Sequence, residues 1–482
     1  MDHISNPQTD ITEILSHQKE AVRKEGLTSL ATRLDRLDRL KRMIYQYRED
    51  FISAMNEDFT CRSESLSLMA DLLPIIEGVR HAKKHLKKWM TPESRGTMPP
   101  LNLLGSRSEV IYQPLGVIGI MGAWNFPVNL TLAPLVGALA AGNRAILKPS
   151  ELAPATASLL KKTIADFFSP AEVAVINGDA ELARHFSEQP FDHLVFTGAT
   201  SVAHHVMRAA SLNLTPVTLE LGGKSPVILS RSCDMKMMAK RVMYAKTLNA
   251  GQICIAPDYA LVPAEKMDEF VTAAKDAVSE MYQNLKMNED YTSIINQRHF
   301  DRLQGYLDEA RAAGATVMEI NPSGETFDDQ NGFKISPHLV INPSADLSCM
   351  KDEIFGPILP VVPYERIEEV IKNINDRPRP LALYYLGQDK AEEKQVMEQT
   401  LSGGVSINEL MLHALQEDLP FGGIGPSGTG AYHGHDGFRR FSHARSIYRH
   451  APFDLVKLMR PPYTSVKKML LNWQFGGGKN GK

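Results

Sequence analysis

Gly116-Val117-Ile118-Gly119-Ile120-Met121-Gly122 runs directly into Ala123-Trp124-Asn125-Phe126-Pro127. The first part is a short apolar run bounded by glycines, as expected of a strand buried on both faces in a parallel sheet. The second part places an amide before a proline, at the point where the strand leaves the sheet. Working outward, a helical run over 130–141 is stopped by Gly142-Asn143, and a strand over 145–148 and a helix over 156–168 follow. Strands at 173–176 and 193–197 continue the series. Strands alternating with helices of 10–15 residues imply βαβ units and a mostly parallel sheet covered on both sides.

From Pro216 onward the alternation resumes, with strands expected at 217–221, 227–229 and 259–262. Helices follow near 234–249, 267–281 and 298–313, and further strands at 316–320, 338–341, 359–363, 381–386 and 404–407. This second α/β block is expected to be a separate domain. Residues 11–89 read as charged helices with apolar positions three and four apart, and Thr28 and Ser29 stand where a cap is needed. The segment 91–105 is a connector, and a strand is expected at 109–112. The basic, mixed end is read as a surface-packed tail that closes on the glycine-rich stretch 476–482.

Composition narrows the function. A chain of 482 residues is long enough for two or three domains, and its 43% apolar and 23% charged content is that of an ordinary globular protein. With 53 basic against 56 acidic residues and a net charge of -3, it lacks the positive excess that nucleic-acid binding needs. Its four cysteines, Cys61, Cys233, Cys254 and Cys349, show no CxxC or Cys/His spacing, so neither a disulfide framework nor a metal site is expected. No signal-peptide pattern and no apolar run of about 18 residues is present, so a cytoplasmic protein without a membrane span is expected.

Six places carry chemistry-bearing side chains at expected strand ends or turns. Asn125 follows the first buried strand, where it can either cap the next helix or point over the sheet edge. Lys148 and Glu151 flank Pro149-Ser150 at another strand end. Thr197-Gly198 leads from a strand into a helix, where a glycine permits close approach of a pyrophosphate, although no GxGxxG fingerprint is present. Glu220 precedes a double-glycine turn, and Glu353 stands beside Phe355. Cys254 lies between Gly251 and Pro257, and read alone it is either a buried apolar residue or a nucleophile.

Taken together these stretches resemble the aldehyde dehydrogenase superfamily. The pieces are WNFP (124–127), LKPSE (147–151), FTG (196–198), LELGGKSP (219–226), GQICIAPDY (251–259), EIFGP (353–357) and LPFGGIGPSGTGAYHG (419–434), in the family order. NDRPRPLALYYLG (375–387) and the APDY after the cysteine are similar to the class 3 branch, which acts on aromatic and fatty aldehydes. NELMLH (408–413) and DLPFGGIGPSG (418–428) look most like bacterial coniferyl aldehyde dehydrogenases.

The resemblance implies an α/β fold with a Rossmann-like cofactor domain (1–104 and 115–220), a second parallel α/β catalytic domain (221–430) and a small oligomerisation element with a tail (105–114 and 431–482). It implies Cys254 as nucleophile, Asn125 as oxyanion donor and Glu220 as general base. Lys148 and Glu151 would take the adenosine ribose, Thr197 and Gly198 the pyrophosphate region, and Glu353 and Phe355 the nicotinamide ribose and ring. NAD is the expected cofactor, with NADP accepted. The substrate is a small aldehyde, coniferyl-type or else medium- to long-chain, and the assembly a homodimer. A cofactor-independent cysteine hydrolase would use the same three catalytic residues but leaves Lys148, Glu151, Glu353 and Phe355 without a role. One departure is Ala203, where the family commonly has a second glycine beside the pyrophosphate.

Overall fold

The apolar run lands in the middle of a sheet. In the computed structural model, which describes residues 7–99, 101–327, 332–454, 457 and 460–474, every residue of Val117–Met121 is buried, with parallel partners Arg144–Lys148 and His193–Thr197 on its two sides. The glycine-rich end at 476–482 lies outside the described residues.

The full order of this six-stranded sheet is Gly428–Thr429, Val217–Glu220, His193–Thr197, Val117–Met121, Arg144–Lys148, Val173–Val175. All pairs are parallel except the short Gly428–Thr429 edge. The chain therefore begins in the centre, winds to one edge and returns to build the other. The strand order reverses between Val117–Met121 and His193–Thr197. In open α/β sheets, ligands bind outside the carboxyl ends of the strands at such a reversal. Asn125, Lys148, Thr197 and Glu220 all lie at or just beyond those ends.

The helix after the central strand, Asn129–Ala141, is apolar almost all round and buried to match, as a helix without a solvent face must be. It packs against Leu30–Gln46, which Ser29 caps by accepting the N–H of Thr32, and against Gly434–Arg440. Each fully buried leucine in such a layer contributes about 1.5–3 kcal/mol relative to exposure. Asn125 does not cap this helix. The N–H groups of Val128 and Asn129 are taken instead by Asp71, which is remote in sequence.

The second block forms a seven-stranded sheet in the order Thr316–Glu319, His338–Ile341, Ile358–Tyr364, Tyr259–Pro263, Pro226–Leu229, Ala382–Leu386, Gly404–Ile407, parallel except at its first edge. Glu220 ends a strand of the first sheet and Pro226 begins one of the second, so the loop between them joins the carboxyl edge of one sheet to the amino edge of the other. Cys254 and Glu353 precede Tyr259–Pro263 and Ile358–Tyr364, at that same amino edge.

The strand expected at 109–112 extends to Arg107–Pro114 and lies between Glu93–Arg95 and Ser442–Arg449 in a three-stranded sheet. Two compact units result, Met1–Lys87 with Pro114–Ser442, and Lys88–Gln113 with His443–Lys482. Among the described residues no helix is long and apolar enough to cross a membrane.

Candidate active site

The loop that carries Cys254 is built from unfavourable backbone. After the helix Met235–Thr247, Asn249 (φ 50°, ψ 29°), Ala250 (φ 51°, ψ 34°) and Gly251 (φ 75°) take left-handed conformations in succession. Each non-glycine residue there costs roughly 1–2 kcal/mol, so the surroundings must hold the turn. Asn249 Nδ2 donates to the carbonyls of Asn125 (3.2 Å) and Gln252 (3.1 Å). The fully buried Gln252 donates from Nε2 to the carbonyls of Asn249 and Ser293, both at 3.0 Å, and its Oε1 accepts the N–H of Ile295. Gly251 is pressed against its neighbours, since a Cβ there would lie 2.3 Å from the carbonyl oxygen of Gly356.

This turn delivers Cys254 to a cavity of about 1010 Å³, at the upper end of the usual range of small-molecule sites. Every candidate read from the sequence lines that cavity: Asn125, Lys148, Glu151, Thr197, Gly198, Glu220, Cys254, Glu353 and Phe355.

For three ionisable groups there, the surroundings favour the neutral form. Burial, with help from Glu353 and Glu220, pushes the Cys254 thiol up to about 12. Burial raises the Glu220 carboxyl well above its ordinary value, with Arg440 pulling weakly the other way, and neither Glu220 oxygen finds a hydrogen-bond partner among the described residues. Burial and then the Asp258 carboxylate raise Glu353 to about 8. A buried carboxyl without a hydrogen-bond partner among the described residues, on the same cavity as a half-buried thiol, is an uncommon arrangement in a protein interior. Asn125 is buried, and its Nδ2 donates to the Gln252 carbonyl at 3.1 Å. That bond occupies one of its two N–H groups, fixes the amide plane and leaves the second as a donor.

The other side of the cavity has the features a dinucleotide requires. The buried Lys148 donates from Nζ to Glu151 Oε2 at 3.0 Å and to the Pro149 carbonyl at 3.2 Å. Thr197 Oγ1 and Glu353 Oε1 are buried polar atoms without a partner among the described residues. The helix Thr200–Ser211 begins at Ala199 without a side-chain cap, so its first N–H groups are available to an anion. Ala203 is not part of the cavity wall. It is 2% exposed within the apolar cluster of Phe196, Val206 and Leu219, so its methyl is accommodated in the core. Phe355 (φ 50°) packs edge-on to Trp124 with ring centroids 5.3 Å apart, and Trp124 lies 5.1 Å from His299.

Residues to which sequence reading gave no role in the site also shape it: Arg62, Asp71, Asn249, Gln252 and His299. A signal was present for one of them. Asp71 stands inside the otherwise apolar run Leu68-Met69-Ala70-Asp71-Leu72-Leu73, where a charge implies a buried partner.

The doubly wound sheet, with Glu220 at its carboxyl edge lacking a hydrogen-bond partner among the described residues and a thiol from the second sheet's amino edge on the same cavity, has the form of a dinucleotide-dependent α/β enzyme. Comparison with known sequences is specific: residues 4–447 match the Aldehyde dehydrogenase family, and the chain belongs to that family, whose members oxidise aldehydes. Its relatives include the probable coniferyl aldehyde dehydrogenase of Caulobacter vibrioides, 51% identical over 95% of this chain and 96% of that protein. The coniferyl aldehyde dehydrogenase of Pseudomonas sp. is 48% identical, with 95% of each chain covered. Among solved structures, the substrate-bound state of Staphylococcus aureus AldH superposes with a TM-score of 0.91 at 33% identity, covering 96% of this chain and 99% of that one. A Mycobacterium tuberculosis aldehyde dehydrogenase complexed with NAD+ shares the fold, with a TM-score of 0.83 at 24% identity over 93% and 92% of the two chains.

Proposed function

We propose that this enzyme oxidises an aromatic, coniferyl-type aldehyde to its carboxylic acid, with NAD as the preferred cofactor and NADP accepted, and with Cys254 as nucleophile. The observation that carries the chemistry is the convergence on one cavity of Cys254, Asn125, the dinucleotide-type residues and Glu220, whose oxygens have no hydrogen-bond partner among the described residues.

In this reading the Cys254 sulfur, once deprotonated, attacks the aldehyde carbon. The charge that develops on the carbonyl oxygen is received by the free N–H of Asn125 and the backbone N–H of Cys254, each such donor lowering the barrier by roughly 3–4 kcal/mol. When bound, NAD supplies the hydride acceptor that turns the Cys254 adduct into a thioester. Glu220 then takes a proton from water, the resulting hydroxide attacks the thioester carbonyl, the C–S bond breaks and the acid leaves. Lys148 and Glu151 hold the adenosine ribose, Thr197, Gly198 and the uncapped helix start the pyrophosphate, and Glu353 and Phe355 the nicotinamide end.

Glycine at 222 keeps Glu353 in place, because a Cβ there would come within 2.1 Å of both carboxylate oxygens. The end of a flexible side chain swings away cheaply, so Gly222→Ala is expected to change thermal stability little. The KM for NAD should instead rise, by at most about 10-fold, the weight of one hydrogen bond. An unchanged KM for NAD, measured at saturating aldehyde, removes Glu353 from cofactor binding.

The aromatic substrate class rests on the similarity to coniferyl aldehyde dehydrogenases. It is tested by a kcat/KM panel of coniferyl aldehyde, benzaldehyde and alkanals of increasing length, each with NAD and NADP. Coniferyl aldehyde with NAD should give the highest value, and a maximum on a long alkanal overturns the assignment. A relative from Rattus norvegicus, 36% identical over 91% of this chain and 94% of its own, is called dimeric and NADP-preferring. It supports a homodimer, as does the exposed eight-residue edge strand Ser442–Arg449. Four unpaired cysteines support a reducing, cytoplasmic setting.

A further inference from the structure

Arg62 and Asp71 form an ion pair with both side chains at 0% exposure and Nη2–Oδ2 at 2.6 Å. No step above uses them. Burying two charges is expensive, and a buried ion pair contributes little net stability compared with apolar residues of the same size. The pair must therefore be understood by what it holds.

Each member reaches one side of the site. Arg62 Nη1 donates to the backbone carbonyl of Asn125 at 2.9 Å and to Asn249 Oδ1 at 3.1 Å. Its guanidinium also lies over the rings of Phe59 (4.6 Å) and Phe126 (5.1 Å). Asp71 Oδ1 accepts the N–H groups of Val128 (3.1 Å) and Asn129 (3.0 Å), which open the helix just beyond Asn125. Asp71 is aimed inward by a π-helical segment, Ser67–Leu72, an irregularity often found at functional sites. Asn249 completes the circuit, because it and Asn125 both donate from Nδ2 to the Gln252 carbonyl at 3.1 Å.

We propose that Arg62, held by Asp71, is a positioning residue for the reaction. It clamps the strand-end loop of Asn125 to the strained turn before Cys254, so that the two oxyanion donors, which come from different sheets, meet at one point. The proposal rests on the oxyanion role given to Asn125. Lysine at 62 keeps the charge but cannot fork to two acceptors and a carboxylate in one plane. The clamp is then loosened without leaving Asp71 unpaired.

For Arg62→Lys we expect kcat/KM for aldehyde to fall about 10- to 100-fold, the scale of an ångström-sized misplacement, while the Kd for NAD stays within about twofold. The deciding measurement is a double-mutant cycle with Asn125→Ala. In the Asn125→Ala background, Arg62→Lys should lower kcat/KM by no more than about 3-fold, since the group it positions is gone. An equal loss in both backgrounds, or no loss in the single variant, overturns the proposal. If Asn125→Ala alone leaves kcat/KM at the wild-type value, the oxyanion assignment itself fails, an outcome distinguishable from failure of the clamp. Should Arg62→Lys not fold, Arg62→Met/Asp71→Asn removes both charges together, leaves no unpaired one and keeps an acceptor for Val128 and Asn129. The same cycle with that variant must give the same non-additivity.

Discussion

Cys254→Ala is expected to abolish aldehyde-dependent NADH formation, to on the order of 10⁻⁴ of wild type or less, as removal of a nucleophile does. NAD should still bind with its Kd within about twofold, because Lys148, Thr197 and Glu353, the residues proposed to hold it, belong to other segments of the chain. Cys254 stands after a turn held by Asn249 and Gln252, whose bonds do not involve the thiol. The variant should therefore fold with a Tm close to wild type. The measurement is NADH absorbance with saturating aldehyde, alongside NAD titration by quenching of tryptophan fluorescence, Trp124 being in the cavity wall. Turnover retained at more than a few per cent shows that another group attacks the aldehyde.

Glu220→Gln separates the two halves of the reaction. One equivalent of NADH per active site should form in a burst, followed by steady turnover about 10²- to 10³-fold slower than wild type, the scale of a lost general base. Steady turnover near the wild-type rate removes Glu220 from deacylation. The pH dependence supplies a second arm. Burial raises the Glu220 carboxyl well above its ordinary value, so its basic form accumulates only as pH rises. Wild-type kcat should climb as pH rises above the ordinary carboxylate range, and that of the variant should lose this dependence. Stability moves the opposite way. With the folded-state value above the unfolded one, the native protein binds more protons than the unfolded chain between the two, and stability falls as pH rises through that window. Glutamine has no such proton, so the Tm of Glu220→Gln should gain on wild type with increasing pH.

Much of this site was legible before any coordinates. The alternation of apolar runs with helical spacing placed both α/β blocks, and predicted strand ends fell beside Asn125, Lys148, Thr197 and Glu220. Strand-end chemistry is local: a buried run of five residues and the turn after it are read from the same dozen letters. Some choices were not local. Whether Asn125 capped the next helix or faced the cavity depended on Asp71, more than fifty positions earlier, which takes the helix N–H groups itself. Whether Glu220 is exposed or buried was not local either, since the edge strand Gly428–Thr429 pairs across it. The strand near residue 110 could be seen, but its partner Ser442–Arg449 lies more than 300 residues away.

By itself, then, the sequence determined the fold class, the family and the side chains available for chemistry, because periodicity and short motifs are properties of neighbouring residues. Only the tertiary structure decided which of those side chains are neutral, which are left without partners, and what holds them. Burial and hydrogen-bond satisfaction are sums over everything packed around a group, and around Cys254 that packing comes from both sheets and from the buried Arg62–Asp71 pair.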